Sequence, residues 1–136
     1  MDGFRFVHSI VVRLRDLDAR GHLNNAVVAT FLEDARYEWY RASGPAGEPP
    51  PLEYTTDMVL ARTEIDYRGE LRESGVTVSV GVRVCRIGNR SADLEYRVCA
   101  AEVLIAEAKS VLVGFDFEKR ASAPIPSRWM RRLTAS

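Results

Sequence analysis

Residues 25–42, NAVVATFLEDARYEWYRA, decide how the rest of the chain has to be arranged. Val28, Phe31, Leu32, Ala35, Trp39 and Ala42 recur at three- and four-residue spacing, so on a helix they form one apolar stripe. Ala26, Val27, Ala29 and Tyr40 make much of the remaining circumference apolar too. A helix apolar over more than half its surface is covered on more than one side, which predicts a central helix. Ser43-Gly44-Pro45 ends it, because glycine accepts a left-handed cap and proline cannot continue the helix.

Working outward, the flanking segments read as strands. Residues 4–15 alternate, with Phe6, His8, Ile10, Val12 and Leu14 on one face and Arg13 and Arg15 on the other. A Pro-rich connection, GPAGEPPPLEY (44–54), leads to MVLARTEIDYR (58–68), the second strand. VTVSVGVRVC (76–85) alternates most cleanly, its valines facing one way and Thr77, Ser79, Gly81 and Arg83 the other. RIGNR (86–90) is a turn, SADLEYRVCAAEV (91–103) the next strand and AEAKSVLVGFDF (106–117) the last. IPSRWMRRL (125–133) is at most a short terminal helix. The order β-α-β-β-β-β, with short turns, predicts an α+β fold: an antiparallel sheet of about five strands curled around one long central helix. Such a sheet leaves strand edges uncovered, so the expected state is at least a homodimer, with a homotetramer as the larger option.

Composition narrows the partners. At 136 residues a single domain over 1–136 is expected, and 46% apolar and 28% charged residues are ordinary for a soluble globule. With 19 basic and 19 acidic residues the formal net charge is zero, which argues against nucleic acid or an anionic membrane as partner. Nearly all the basic residues are arginine, Lys109 and Lys119 being the lysines. No apolar run approaches a membrane span, and the N-terminal stretch carries charge within its apolar part, unlike a secretory signal. Cys85 and Cys99 are too few and too separated for a disulfide framework or a zinc site, so a cytoplasmic location without metal or cofactor is expected.

Between the first strand and the helix lies RDLDARGHLNNAV (15–27), which gathers two Asp, an Arg, a Gly, a His and two adjacent Asn. A carboxylate a few residues ahead of a helix N-terminus pairs a general base or nucleophile with backbone N–H groups able to hold an oxyanion. Asp18 is that carboxylate, and the first helical amides belong to about Asn25, Ala26 and Val27. An Asx turn would account for Asp18 equally well. Gly21 permits a positive φ or a close approach of backbone to ligand. Asn24 reads as the helix N-cap, and Asp16 as a turn or salt-bridge residue rather than a second catalyst.

The segment Asp16-Leu17-Asp18-Ala19-Arg20-Gly21-His22-Leu23-Asn24-Asn25-Ala26 resembles the hotdog-fold acyl-CoA thioesterases, in the branch of the 4-hydroxybenzoyl-CoA and long-chain acyl-CoA thioesterases. Weaker similarities follow in the helix (Phe31, Leu32, Glu33, Ala35, Arg36), in Ile65-Asp66-Tyr67-Arg68, in IGNRS (87–91) and in Pro124-Ile125-Pro126. Leu17 stands where the family usually has a small residue and Val28 where it often has Tyr. Gly69-Glu70-Leu71-Arg72-Glu73-Ser74-Gly75 replaces an Arg-Pro-Leu turn remote in sequence from the motif.

The resemblance implies a hotdog fold and hydrolysis of an acyl-CoA or acyl carrier protein thioester. It puts the catalytic carboxylate on Asp18 and the carbonyl-polarising amide at about Asn25. His22 stands between contacting the thioester and bonding across a subunit interface. A related branch carries its carboxylate on the helix, which makes Glu33 a reserve candidate, although an i,i+3 pair with Arg36 would also explain it. Val28 and Tyr67 are candidates for shaping the acyl pocket. Arg90 and Ser91 occupy the hairpin that approaches the nucleotide in this family, with Arg86 and Arg68 as second choices; in a hotdog dimer those groups and the catalytic ones can come from different chains. Two other readings stand beside hydrolysis: a non-catalytic acyl-CoA-binding domain, and a hotdog hydratase or dehydratase.

Overall fold

The computed structural model describes residues 1–45 and 57–136. Most of the Pro-rich connection expected at 44–54 lies outside the described residues. The chain forms β1 (Phe6–Val11), one 3-10 turn (Leu14–Asp16), α1 (Asn25–Ala42), β2 (Met58–Tyr67), β3 (Thr77–Ile87), β4 (Ser91–Ala100), β5 (Val103–Asp116), β6 (Ala121–Ser122) and α2 (Ser127–Ala135). The strands make one antiparallel sheet in the order β1-β3-β4-β5-β2, with β6 paired to the end of β5. The fold is the expected one: β2 enters at the edge opposite β1, and α1 lies across the concave side.

Register explains the core. Val80 stands opposite His8 on β1 and Val98 on β4, and Val98 stands opposite Ala106 on β5. These rows carry buried Val78, Val80, Val82, Leu94, Tyr96 and Val98, which pack against Val28, Phe31, Leu32, Ala35 and Trp39 of α1. Burial of such side chains contributes about 1.5–3 kcal/mol each.

Several boundaries differ from the sequence expectation. Strand alternation stops at Val12, which is buried, and Leu14 is 76% exposed because the chain turns there. The Arg13 amide donates to Asp16 Oδ2 at 2.8 Å, and that local bond closes the 3-10 turn in place of further ladder pairing. The stretch read as one strand over 91–103 is divided at Ala101-Glu102. Ala101 takes φ 53° there, a left-handed conformation at a residue that carries no turn signal.

α1 begins and ends as read, and Val28, Phe31, Leu32, Ala35 and Trp39 of its predicted stripe are buried, on a face broader than the stripe itself. Arg36 and Tyr40 are buried and Ala42 is exposed. Tyr40 lies under α2, a nine-residue helix that shares the covering of the sheet end. The Trp129 ring packs at a tilt, its centroid 4.5 Å from that of Tyr40 and 6.2 Å from that of Trp39, and the Arg132 guanidinium lies 4.0 Å over Tyr40. Arg36 donates to the Tyr96 hydroxyl at 3.2 Å. At the other end of α1, Ala26 and Ala29 are exposed in the protomer. No described helix is long and apolar enough to cross a membrane.

Candidate active site

The segment from Arg13 to Asn24 builds itself from its own polar groups. Leu17 and Leu23 form an isolated antiparallel bridge, and the Asn24 amide donates to the Asp16 carbonyl at 2.8 Å. Inside this bracket the Asp18 amide donates to the His22 carbonyl (2.7 Å) and the Gly21 amide to the Asp18 carbonyl (2.9 Å). Asp18 Oδ1 accepts the amides of Arg20 (2.8 Å) and His22 (3.0 Å). Gly21 sits at φ +79° with open space where a Cβ would be, so the backbone conformation, rather than a close approach, requires glycine there.

Asp18 therefore is the Asx-type residue of its turn, through Oδ1, while Oδ2 takes no donor among the described residues. The His22 amide is the main reason its carboxyl is held below the usual carboxylate range. Partial desolvation opposes this, and the Arg20 amide and the charges of His22 and Arg20 add to the lowering.

The helix N-terminus opens beside this turn. Asn24 caps it: Oδ1 accepts the Ala26 amide at 2.9 Å, and its carbonyl accepts the Val27 amide at 3.0 Å. Of the three amides expected from sequence to be available, two are therefore already satisfied by the cap. The Asn25 N–H takes no protein acceptor among the described residues, and it is the donor left for a ligand. The Tyr67 hydroxyl donates to the Asn25 carbonyl at 3.0 Å and ties the end of β2 to the first turn of α1.

These groups face a cleft of about 500 Å³. It brings together Asp18, His22, Asn24, Asn25, Val28 and Tyr67. Leu23, Arg68, Gly69, Glu70, Leu71 and Ile105 complete the lining and had not been assigned to the site, apart from Arg68 as a second choice for phosphate. The connection after β2, remote in sequence, is thus in contact with the motif: the Leu23 amide donates to the Leu71 carbonyl at 2.6 Å. A Cβ on Gly69 would stand 2.5 Å from the Leu104 carbonyl oxygen, so this glycine lets the connection lie against β5. Its position directly after Ile65-Asp66-Tyr67-Arg68 was the available sequence signal.

Three candidates lie elsewhere in the protomer. Glu33 borders a separate concavity with His8, Asp34, Tyr37 and Glu38. Arg90 and Ser91 sit at the far end of the sheet, where the Arg90 carbonyl accepts the Gly114 amide and Gly114 pairs with Met58. Arg90 donates to the Ser122 carbonyl at 2.9 Å, and the Ser91 hydroxyl accepts from Arg86 at 2.7 Å. The strand run from this end to Ala106 and Tyr67 separates them from Asp18, so within one protomer they do not join the cleft. Among the described residues no group of three or more His, Cys, Asp or Glu side chains could hold a metal ion.

The chain belongs to the thioesterase-like superfamily, whose family model matches residues 12–133. It is similar to a thioesterase from Thermus thermophilus solved with coenzyme A and Zn, at 35% identity over 99% of this chain and 96% of that one, with a TM-score of 0.83. A predicted thioesterase from Bacillus stearothermophilus is 30% identical over 95% of this chain and 93% of that one, with a TM-score of 0.82. A 1,4-dihydroxy-2-naphthoyl-CoA thioesterase from Synechocystis, at 20% identity over 95% of both chains and a TM-score of 0.81, shares the fold. No curated protein matches.

Proposed function

We propose that this enzyme hydrolyses an acyl-CoA thioester to the free acid and coenzyme A, using Asp18 and the Asn25 amide. The observation that carries the reading is the meeting, in one cleft, of a carboxylate with an uncommitted oxygen and a helix-terminal N–H with no protein acceptor. As general base, Asp18 Oδ2 takes a proton from water while the water oxygen bonds to the thioester carbon. The carbonyl oxygen becomes an oxyanion and accepts from the Asn25 N–H, supported by the helix dipole. Collapse breaks the carbon–sulfur bond, and the thiolate takes the proton held by Asp18. As nucleophile, Asp18 instead adds to the thioester carbon and expels the coenzyme A thiolate, and water opens the resulting mixed anhydride to the free acid and the Asp18 carboxylate.

Val28 and Tyr67 bound the acyl end, and His22 and Asn24 border it. The edge of β2 supports a homodimer as the working unit. Antiparallel pairing of two such edges sets the Met58 end of one strand beside the Tyr67 end of the other. Arg90 and Ser91 approach a cleft only in such a pair. Action on soluble thioesters in the cytoplasm fits this reading.

The test is thiol release from a panel of acyl-CoAs by the purified protein. Wild type is expected to cleave at least one, with Asp18→Ala slower by roughly 10²–10⁴-fold. Full activity in Asp18→Ala, or none in wild type, sinks the proposal. Tight binding without turnover would mark a binding domain, and hydration of crotonyl-CoA a hydratase.

A further inference from the structure

The connection that follows β2 grips the motif on both sides of the helix cap. Ahead of the cap, the Leu23 amide donates to the Leu71 carbonyl at 2.6 Å; beyond it, the Tyr67 hydroxyl donates to the Asn25 carbonyl at 3.0 Å. Between these two bonds stand Asn24, which closes the cap, and the open N–H of Asn25. The connection is itself fastened to the sheet. Tyr67 stands opposite Ala106 on β5, and the Ile105 carbonyl accepts the amides of Arg68 (2.8 Å) and Gly69 (3.1 Å). Only glycine fits at 69, since the Leu104 carbonyl leaves no room for a Cβ.

Each peptide group at the start of α1 has its own partner. The Asn24 N–H donates to the Asp16 carbonyl, the Asn24 carbonyl accepts the Val27 amide, and the Ala26 N–H donates to Asn24 Oδ1. The Asn25 carbonyl and the Ala26 N–H belong to one peptide group, so Tyr67 and Asn24 hold its two ends. A hydroxyl donating to a peptide carbonyl polarises the N–H of the same peptide and strengthens the bond it makes, here the cap bond. Of these partners Tyr67 alone comes from outside the segment 15–27, and it ties the cap to the sheet. Tyr67 is 46% exposed, so water competes for its hydroxyl and the bond adds little to overall stability; what it supplies is direction. We infer that Tyr67 is a positioning residue for the hydrolysis. Acting through the Asn25–Ala26 peptide, it keeps the Asn24 cap closed and the neighbouring Asn25 N–H aimed at the oxyanion. The inference rests on the proposed thioesterase reading and adds to it the group that holds the oxyanion donor in place.

Tyr67→Phe removes the hydroxyl and keeps the ring. Loss of an oxyanion donor costs about 10²–10³ in kcat, and a donor left in place but loosely aimed costs part of that. The variant is expected to lower kcat about tenfold on every acyl-CoA that wild type cleaves, with KM changed by less than about twofold. A hydroxyl that touched the acyl group instead would raise KM and change the order of preferred substrates, and that result overturns the inference. A double-mutant cycle with Asn24→Ala supplies the readout that a purely structural bond would not move. Because both side chains act on one peptide, Tyr67→Phe is expected to cost about threefold or less in kcat once the cap is gone; full additivity overturns the inference. Amide hydrogen exchange at Ala26, followed by NMR, reads the same bond without catalysis and is expected to quicken about threefold or more in Tyr67→Phe at unchanged Tm. Failure of wild type to cleave any acyl-CoA would defeat the hydrolytic reading, and exchange at Ala26 would then decide whether Tyr67 holds the cap. An unchanged kcat, or an unchanged exchange rate at Ala26, overturns the inference.

Discussion

Asp18 divides its work between two oxygens, one holding the turn and the other open to the cleft. Its lowered proton affinity keeps it ionised throughout the neutral range, at some cost in intrinsic basicity. The acid limb of kcat/KM is therefore expected below the ordinary carboxylate range of about pH 4, and a limb near pH 6 in a pH–rate profile would contradict this assignment. The same shift links pH to stability. A carboxylate whose folded pKa is depressed adds stability above its unfolded pKa, and that stability is lost as pH falls through the folded value. Asp18→Asn should thus flatten the acid side of a plot of Tm against pH. Gly21→Ala forces a Cβ into the left-handed region and is expected to cost about 1–2 kcal/mol in denaturant unfolding. Glycine at this place was read for a close approach of backbone to ligand or for a positive φ, and the open space around it leaves the φ; which amides stay open was not legible, because the cap consumes two of them.

At the scale of elements, α1 was readable to its ends because its apolar spacing, N-cap and Ser-Gly-Pro stop agree. Asn24→Ala should cost about 0.5–2 kcal/mol in urea unfolding and release the Ala26 amide from its cap. That a second face of α1 is covered was readable from its apolar circumference, but what covers it was not, since Tyr40 lies under a helix more than eighty residues away in sequence and Arg36 is buried against Tyr96 of β4. Trp129, buried against Tyr40 and Trp39, makes that cover, and Trp129→Ala is expected to lower stability by about 3–5 kcal/mol. The β4–β5 turn was placed a few residues late, after Val103, because Ala101-Glu102 is tight and its positive φ falls on alanine, which carries no turn signal.

For the molecule as a whole, the edges of β1 and β2 and the exposed Ala26 and Ala29 lead to the expectation of a mass in light scattering at least twice the 15.3 kDa of the chain. A stable monomer would count against the edge-paired arrangement and against any part for Arg90 in the site. The sequence by itself determined the class of fold, the central helix and the polar segment that opens on its N-terminus, because each depends on local periodicity and capping. Only the tertiary structure decided what faces that segment. The connection after β2 comes home against Leu23, Tyr67 reaches Asn25, and Arg90 lies a strand's length away, because strand order and register, which no local pattern encodes, set the distances between them.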